Sequence, residues 1–218
     1  MTTYPNSPRL VKGGIVLLDP ETAQVKDVIS LQYNPETMTR SFQIHETETG
    51  EGGDRSQALR LKGPPVESYK LIAELDATDL LEAADSEATV LGLHRELAIL
   101  ESLIYPSSEA ILENEALASS GTLEILPMET PLTLFVWSKN RVLPVRVTEL
   151  SITEEAYDAA LNPIRARVNL GLRVLSVDDL GFAHTGSQLF MTYLQNKEQL
   201  KKRYTQFSLR SLGVEDLL

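Results

Sequence analysis

The fold is decided by residues 132–177, LTLFVWSKNRVLPVRVTELSITEEAYDAALNPIRARVNLGLRVLSV. Apolar and polar residues alternate strictly from Arg165 to Val174. A period of two over nine or more residues predicts a strand with one face on a core. Residues 132–137 are apolar on both faces, which predicts a strand near the centre of its sheet.

The tetrapeptide Ser138-Lys-Asn-Arg141 predicts a tight turn between two strands of a hairpin. The second strand places its apolar residues at odd positions up to Val147 and at even positions from Leu150 onward. A β-bulge near Thr148-Glu149 would keep both groups on the same core face. The centre of the protein is therefore predicted to be a long antiparallel sheet and not a catalytic pocket.

Four further strands are predicted before this hairpin, at residues 10–18, 28–33, 38–44 and 66–75. The turn between the second and third contains Asn34-Pro35, whose side chains favour reversal of the chain. In the fourth strand, alternate apolar residues share one side: Tyr69, Leu71, Ala73 and Leu75.

Helices are predicted on both sides of the hairpin. One begins with Ser86 as its N-cap and ends before Pro106, with an apolar stripe at Val90, Leu93, Leu97, Leu100 and Ile104. A short helix is possible over 109–117. After a linker that starts at Asp178, an amphipathic helix has an apolar stripe at Phe190, Leu194, Leu200, Tyr204 and Phe207. Its basic side consists of Lys197, Lys201, Lys202 and Arg203.

Composition narrows the class of protein. The chain has 218 residues, 42% of them apolar, and no cysteine, which excludes disulfides and zinc sites built on sulfur. The net charge is −11, and residues 45–130 hold 18 acidic against 5 basic side chains, which disfavours nucleic acid as a partner. A signal peptide and an apolar run of about 18 residues are both missing, so we expect cytoplasmic synthesis and no membrane insertion.

No catalytic motif stands out. The three histidines are far apart, and the sequence has no phosphate-binding loop, dinucleotide fingerprint or nucleophile elbow. Glu154, Glu155 and Asp158 are close together, but carboxylates at this spacing are common in solvated loops. We therefore expect no catalytic residue, no cofactor and no metal.

Several blocks carry a resemblance to a known family. They are ISLQYNPETMTR at 29–40, LAILESLIYP at 97–106, FVWSKNRVLPVR at 135–146 and LNPIRAR at 161–167. Over roughly residues 9–177 the chain resembles the tube-domain family of phage-tail-like contractile injection systems. The resemblance implies a mainly β (α+β) fold: a tail-tube-like antiparallel β-barrel or two-sheet domain, with one packed helix and a C-terminal helical extension. It places the tube-like domain at 1–177 and the linker and helix at 178–218.

The resemblance also implies a function. Such proteins are non-enzymatic baseplate–tube adaptors that form sixfold rings and initiate the tube. The expected partners are further copies in a hexamer, a spike hub protein, an inner tube protein and other baseplate subunits. Related proteins often add a LysM module after the tube domain, but only about 40 residues follow Val177, too few for that module.

Thirteen residues are the structural and interface candidates. Trp137 is expected to anchor the core, Asn162-Pro163 to fix the connection into the last strand, and the C-terminal helix to dock on a neighbouring subunit in preference to its own domain. Three alternatives stay open: an inner-tube subunit, a soluble ligand-binding β-domain, and a hydrolase using Glu154, Glu155 or Asp158. The candidates are Asn34, Pro35, Trp137, Arg141, Asn162, Pro163, Arg165, Arg167, Arg173, Phe190, Leu194, Leu200 and Tyr204.

Overall fold

A computed structural model describes residues 11–19, 22–45, 61–119 and 131–203. Tyr204 and Phe207 of the predicted helical stripe lie outside these residues. The strands are β1 Gly14–Leu18, β2 Val25–Ser30, β3 Met38–Gln43, β4 Val66–Asp76, β5 Leu132–Ser138, β6 Arg141–Tyr157 and β7 Pro163–Val174. The helices are α1 Thr78–Glu82, α2 Ser86–Leu91, α3 His94–Glu101, α4 Ser108–Ser119 and α5 Thr185–Lys202.

The seven strands form one antiparallel sheet in the order β2-β1-β5-β6-β7-β4-β3. The predicted hairpin, β5 and β6, lies near its middle, and β7 follows it directly. The fold is mainly β, as predicted, but the sheet is not closed into a barrel. In the described part of the chain, β2 pairs only with β1 and β3 only with β4, so the two edge strands do not meet.

The two edge strands are nevertheless consecutive in the chain. Residues 31–37, here called the crossing segment, connect β2 at one edge to β3 at the other. Eight Cα–Cα steps reach at most about 28 Å when fully extended, and a flat seven-stranded sheet is about 29 Å wide. A flat sheet would leave no length for a turn, so the sheet must curve and bring its edges toward each other.

The predicted alternation on β4 and β7 is confirmed. Tyr69 and Leu172 face each other in the ladder and both are fully buried. Nine inward-facing residues of the two strands are buried: Tyr69, Leu71, Ala73, Leu75, Ala166, Val168, Leu170, Leu172 and Val174. These side chains form the main core together with residues of β1, β5, β6, α3 and α5.

The predicted bulge is also confirmed. Val147 pairs with Leu172 and Glu149 pairs with Gly171, which leaves Thr148 as the extra residue of β6. The bulge brings β6 so close to β7 that a Cβ on Gly171 would lie 2.9 Å from Cβ of Glu149. A glycine at this position therefore permits the shift that keeps both apolar groups of β6 facing the core.

The prediction of a single helix that begins with Ser86 as its N-cap and ends before Pro106 is wrong in two respects. The chain forms two helices, α2 and α3, separated at Gly92, which has a φ of +54°. The N-cap is Asp85, whose carboxylate accepts from the N–H groups of Glu87 and Ala88. Because the break rotates the stripe, Val90 is 67% exposed, whereas Leu97 is buried in the core.

The C-terminal helix docks on its own sheet, contrary to the expectation that it prefers a neighbour. Phe190 and Tyr193 of α5 are buried in the main core. Leu194 is half-buried and Leu200 is exposed, so contact with the core is confined to the N-terminal part of the helix. None of the helices in the described residues is long and apolar enough to cross a membrane.

Trp137 was predicted to anchor the core, and it does not. It is half-buried, and its ring stacks on that of Phe135 with centroids 5.9 Å apart. Phe135 is the deeper residue, 1% exposed and packed against Tyr69. Trp137 instead covers Gly13, where a Cβ would lie 2.4 Å from the indole ring. The odd phase of β5 points inward, but Trp137 lies at the end of the strand, where the core thins out.

We therefore expect Trp137→Ala to lower the free energy of unfolding by about 1–3 kcal/mol, because only part of the indole is removed from water. Phe135→Ala is the matched control and should cost about 3–5 kcal/mol. Urea unfolding followed by far-UV circular dichroism measures both losses. Tryptophan fluorescence cannot be used for Trp137→Ala, because Trp137 is the only tryptophan. An equal loss in the two variants would restore Trp137 as a core anchor.

Candidate functional site

Two amide side chains fasten the crossing segment to two parts of the sheet. One bonds to the residues just before β1 and the other to the end of β4. Asn34 accepts a hydrogen bond from the N–H of Gly13 at 2.9 Å and donates one to the carbonyl of Val11 at 2.9 Å. Gln32 donates to the carbonyl of Asp76 at 2.6 Å and accepts from its N–H at 2.8 Å. Each amide satisfies backbone groups that would otherwise lack a strand partner. The predicted turn residue Asn34 therefore fastens one side of the curved sheet.

The connection between β6 and β7 is built on Asp158. Its carboxylate accepts from the backbone N–H groups of Ala160 and Asn162, both at 2.8 Å, and from the Asn162 side chain at 2.8 Å. These bonds, with Asn162 foremost, lower the pKa of Asp158. Leu161 between them has a φ of +67°, a backbone conformation that leucine rarely adopts.

Asn162-Pro163 also reaches the helices. The Asn162 amide donates to the carbonyl of Val90 at 3.1 Å, and the carbonyl of Pro163 accepts from the N–H of Leu93 at 2.8 Å. A Cβ on Gly92 would lie 2.4 Å from that same carbonyl. The two residues fix the entry into β7, as predicted, and in addition fix the joint between α2 and α3.

The arginines of β7 lie on the face of the sheet opposite the core, here called the polar face. The Arg165 guanidinium donates to Asp76 at 2.9 and 3.1 Å, and Arg167 pairs with Glu155 at 3.2 Å and with Glu74 at 3.7 Å. The hydrogen bonds from Thr78, followed by that from Arg165, lower the pKa of Asp76. Carboxylates of the same chain thus balance these charges.

Arg173 and Arg141 lie apart from this pair. Arg173 donates to Asp179 at 2.5 Å, just after β7. Arg141 is half-buried on the core side, with its guanidinium 5.8 Å from the ring centroid of Tyr69. The arginines singled out in the sequence therefore occupy three environments and do not form one site.

A groove separates the crossing segment from the polar face. It has a volume of about 420 Å³ and is open to solvent. Ile72, which is 47% exposed, and Arg167 line it from the strands of the sheet. Its lining residues are Tyr33, Asn34, Pro35, Glu36, Thr37, Ile72, Glu74 and Arg167. This groove brings together three of the predicted residues, Asn34, Pro35 and Arg167.

The chemically most unusual group is Glu67, a carboxylate only 4% exposed. Its Oε1 accepts from the hydroxyls of Tyr69 at 2.6 Å and Tyr193 at 3.0 Å, and its Oε2 accepts from Lys197 Nζ at 3.2 Å. Arg40 of β3 lies 3.9 Å away. These five residues, the Glu67 cluster, join β3, β4 and α5.

The sequence contained a signal for this cluster that the strand analysis did not use. Glu67 lies in the same phase of β4 as Tyr69 and Leu71, so a charged residue occupies a predicted core position. Tyr193 and Lys197 are four residues apart, on one face of α5. A buried charge requires partners, and the helix brings them. The Glu67 cluster is thus the polar part of the α5 docking surface.

Burial, followed by the hydrogen bond to Glu67, raises the pKa of Tyr69 well above its ordinary value of about 10. The folded chain thus favours the neutral hydroxyl. The resulting stabilisation is complete below about pH 10 and is lost as pH rises above that value. We expect the urea midpoint to fall more steeply above pH 10 in the parent chain than in Tyr69→Phe. Parallel curves for the two chains between pH 9 and 11 would contradict this assignment.

The three carboxylates considered for hydrolysis have separate partners: Asp158 holds its turn, Glu155 pairs with Arg167, and Glu154 accepts a hydrogen bond from the Tyr157 hydroxyl. Among the described residues, no group of three or more histidine or acidic side chains is arranged to hold a metal ion. No protein-family model matches the chain, and no curated protein matches it.

Proposed function

We propose that this chain is a structural ring subunit of a contractile injection system, a baseplate–tube adaptor that links a spike hub to an inner tube and initiates tube assembly. The resemblance of the blocks at 29–40, 97–106, 135–146 and 161–167 supports this function. The observation that carries it is the open sheet, whose edge strands β2 and β3 pair on one side only in the described residues.

An open sheet with two different edges suits a ring. In a closed ring with rotational symmetry, each subunit uses one surface toward the copy before it and another toward the copy after it. A free strand edge offers a row of N–H and C=O groups to another chain. Val25 and Val28 of β2 are 62% and 67% exposed. A bulge at Lys26 interrupts the register of β2 with β1, and the edge is regular from Asp27 to Ser30. Edge pairing between copies would cover these valines.

The polar face suits a position inside an assembly. Its charges are balanced within the chain, because Arg165 and Arg167 pair with Asp76, Glu74 and Glu155. A balanced face can line a channel or lie against another ring without leaving unpaired charge buried. Above and below the ring, the spike hub, the inner tube protein and other baseplate subunits are the proposed partners. The role is structural and not catalytic.

Native mass spectrometry of the purified chain tests the proposal. Six copies of a 24.2 kDa chain have a mass of about 145 kDa, and negative-stain microscopy should show rings or short tubes. Val28→Lys places a charge on the β2 edge and should shift the population to monomers. Val90→Lys is the matched control, because Val90 is equally exposed, 67%, but lies on α2. A parent chain that stays monomeric at all concentrations overturns the ring.

A second candidate, a soluble ligand-binding β-domain, is favoured by the groove beside the crossing segment. Its exposed Tyr33 and Ile72 offer apolar contacts, and Glu36, Glu74 and Arg167 offer charged ones. A chain of this class would remain at 24.2 kDa in the same measurement. The two candidates are therefore distinguished by one experiment.

A further inference from the structure

Helix α4 is exposed at ten of its positions and half-buried at two, Ala110 and Asn114. It has 12 residues and buries none of them. Ile111 is 50% and Leu112 69% exposed. Its charged residues are Glu109, Glu113 and Glu115, and it has no lysine or arginine. A surface that is both apolar and basic would complement this helix.

The end of α5 has the opposite character. The helix crosses the sheet: Gly186 lies beside Leu132 of β5, Tyr193 reaches Glu67 of β4, and Lys197 lies 5.5 Å from the ring centroid of Phe42 on edge strand β3. The last turns of the helix therefore continue past that edge, away from the core.

This projecting end carries an apolar residue surrounded by basic ones. Leu200 is 49% exposed, and Lys201, Lys202 and Arg203 are exposed beside it, against one acidic residue, Glu198. Lys201 and Lys202 also lie in the last turn of α5, where positive charge is favoured by the helix dipole. The charge of this end is complementary to that of α4.

We propose that α4 of one copy docks against the projecting end of α5 in a second copy. Leu112 and Leu200 would cover each other, and the glutamates of α4 would face Lys201 and Lys202. The contact rests on the proposed ring, because it joins the β3 side of one copy to the helices of its neighbour. The charged side chains of this contact stay near solvent, so added salt should weaken the association. The Debye length, over which charges attract each other, is only about 3 Å at 1 M salt.

Crosslinking tests the contact without background, because the chain has no cysteine. Leu112→Cys chains are mixed with Leu200→Cys chains that carry a short tag, and the mixture is oxidised mildly. We expect a mixed disulfide dimer of about 48 kDa, twice the mass of one chain. Leu161→Cys replaces Leu112→Cys in the control, since Leu161 is 76% exposed but lies in the β6–β7 turn. A yield no higher than in this control overturns the contact.

Charge reversal tests the energetics in the full-length chain. Glu109→Lys with Glu113→Lys should weaken self-association at least tenfold at low salt, and Lys201→Glu with Lys202→Glu should do the same. A chain with all four changes should recover the parent's association. If the parent forms rings and none of the variants weakens them, the helix contact is overturned and the ring stands. If the parent is monomeric, the ring itself fails, and this contact fails with it.

Discussion

A chain that lacks residues 186–218 is expected to lose cooperative folding. The deletion removes the buried residues of α5, Phe190 and Tyr193 among them, and uncovers the core face that they fill. Truncating one buried phenylalanine to alanine costs about 3–5 kcal/mol. The whole stability of a domain is about 5–15 kcal/mol. The loss of two buried aromatic residues and of the partners of a buried carboxylate should therefore remove most of the free energy of unfolding.

Urea unfolding followed by Trp137 fluorescence and circular dichroism measures this loss. Leu200→Ala serves as the control on the same helix, because Leu200 is 49% exposed and its truncation should change stability by no more than about 0.5 kcal/mol. A truncated chain with the parent's midpoint and slope would show that α5 belongs to an intermolecular contact. That result would reverse the assignment made from the packing of Phe190 and Tyr193.

The strands could be predicted because their burial pattern has a short period. Alternation from Arg165 to Val174 specifies which side faces the core, since a slip of one residue would expose every apolar side chain. The same constraint located the bulge at Thr148, where the phase of β6 changes. These features depend on neighbours along the chain, and the sequence displays them directly.

Features that depend on contacts with residues distant in the chain were harder to predict from the sequence. The destination of α5 is decided by Tyr69 and Glu67, more than 120 positions away from Tyr193. The break at Gly92 depends on the carbonyl of Pro163, which leaves no space for a side chain. An amphipathic stripe shows that a helix packs, but it does not show on which surface.

The candidate site also contains some features that could be predicted from the sequence and others that could not. Asn34 and Asn162 were identifiable as turn residues, but their bonds to Gly13 and Val90 were not. Glu67 could have been found from its phase on β4 alone. Arg40 and Lys197, which complete its surroundings, become visible only when β3 and α5 are placed on the sheet.

Glu67→Ala is expected to lower the free energy of unfolding by about 3 kcal/mol. Removing one member of a buried ion pair leaves the remaining polar groups without partners and costs about 3–5 kcal/mol. Lys197 and Arg40 are 37% and 38% exposed, so water can solvate both cations, which favours the lower end of that range. The hydroxyls of Tyr69 and Tyr193 are 3.5 Å apart and can bond to each other, but only one of the two can then donate in that pair.

Two further variants separate the charge of Glu67 from its shape. Glu67→Gln keeps an acceptor for one tyrosine hydroxyl and should cost less than the alanine variant. Glu74→Ala removes a carboxylate from the same strand on the polar face, where Glu74 is 62% exposed and 3.7 Å from Arg167, and should cost at most about 1 kcal/mol. Urea midpoints of the three variants measure the order. If Glu67→Ala and Glu74→Ala lose the same amount, the Glu67 cluster does not hold α5 on the sheet, and apolar packing of Phe190 and Tyr193 alone does so.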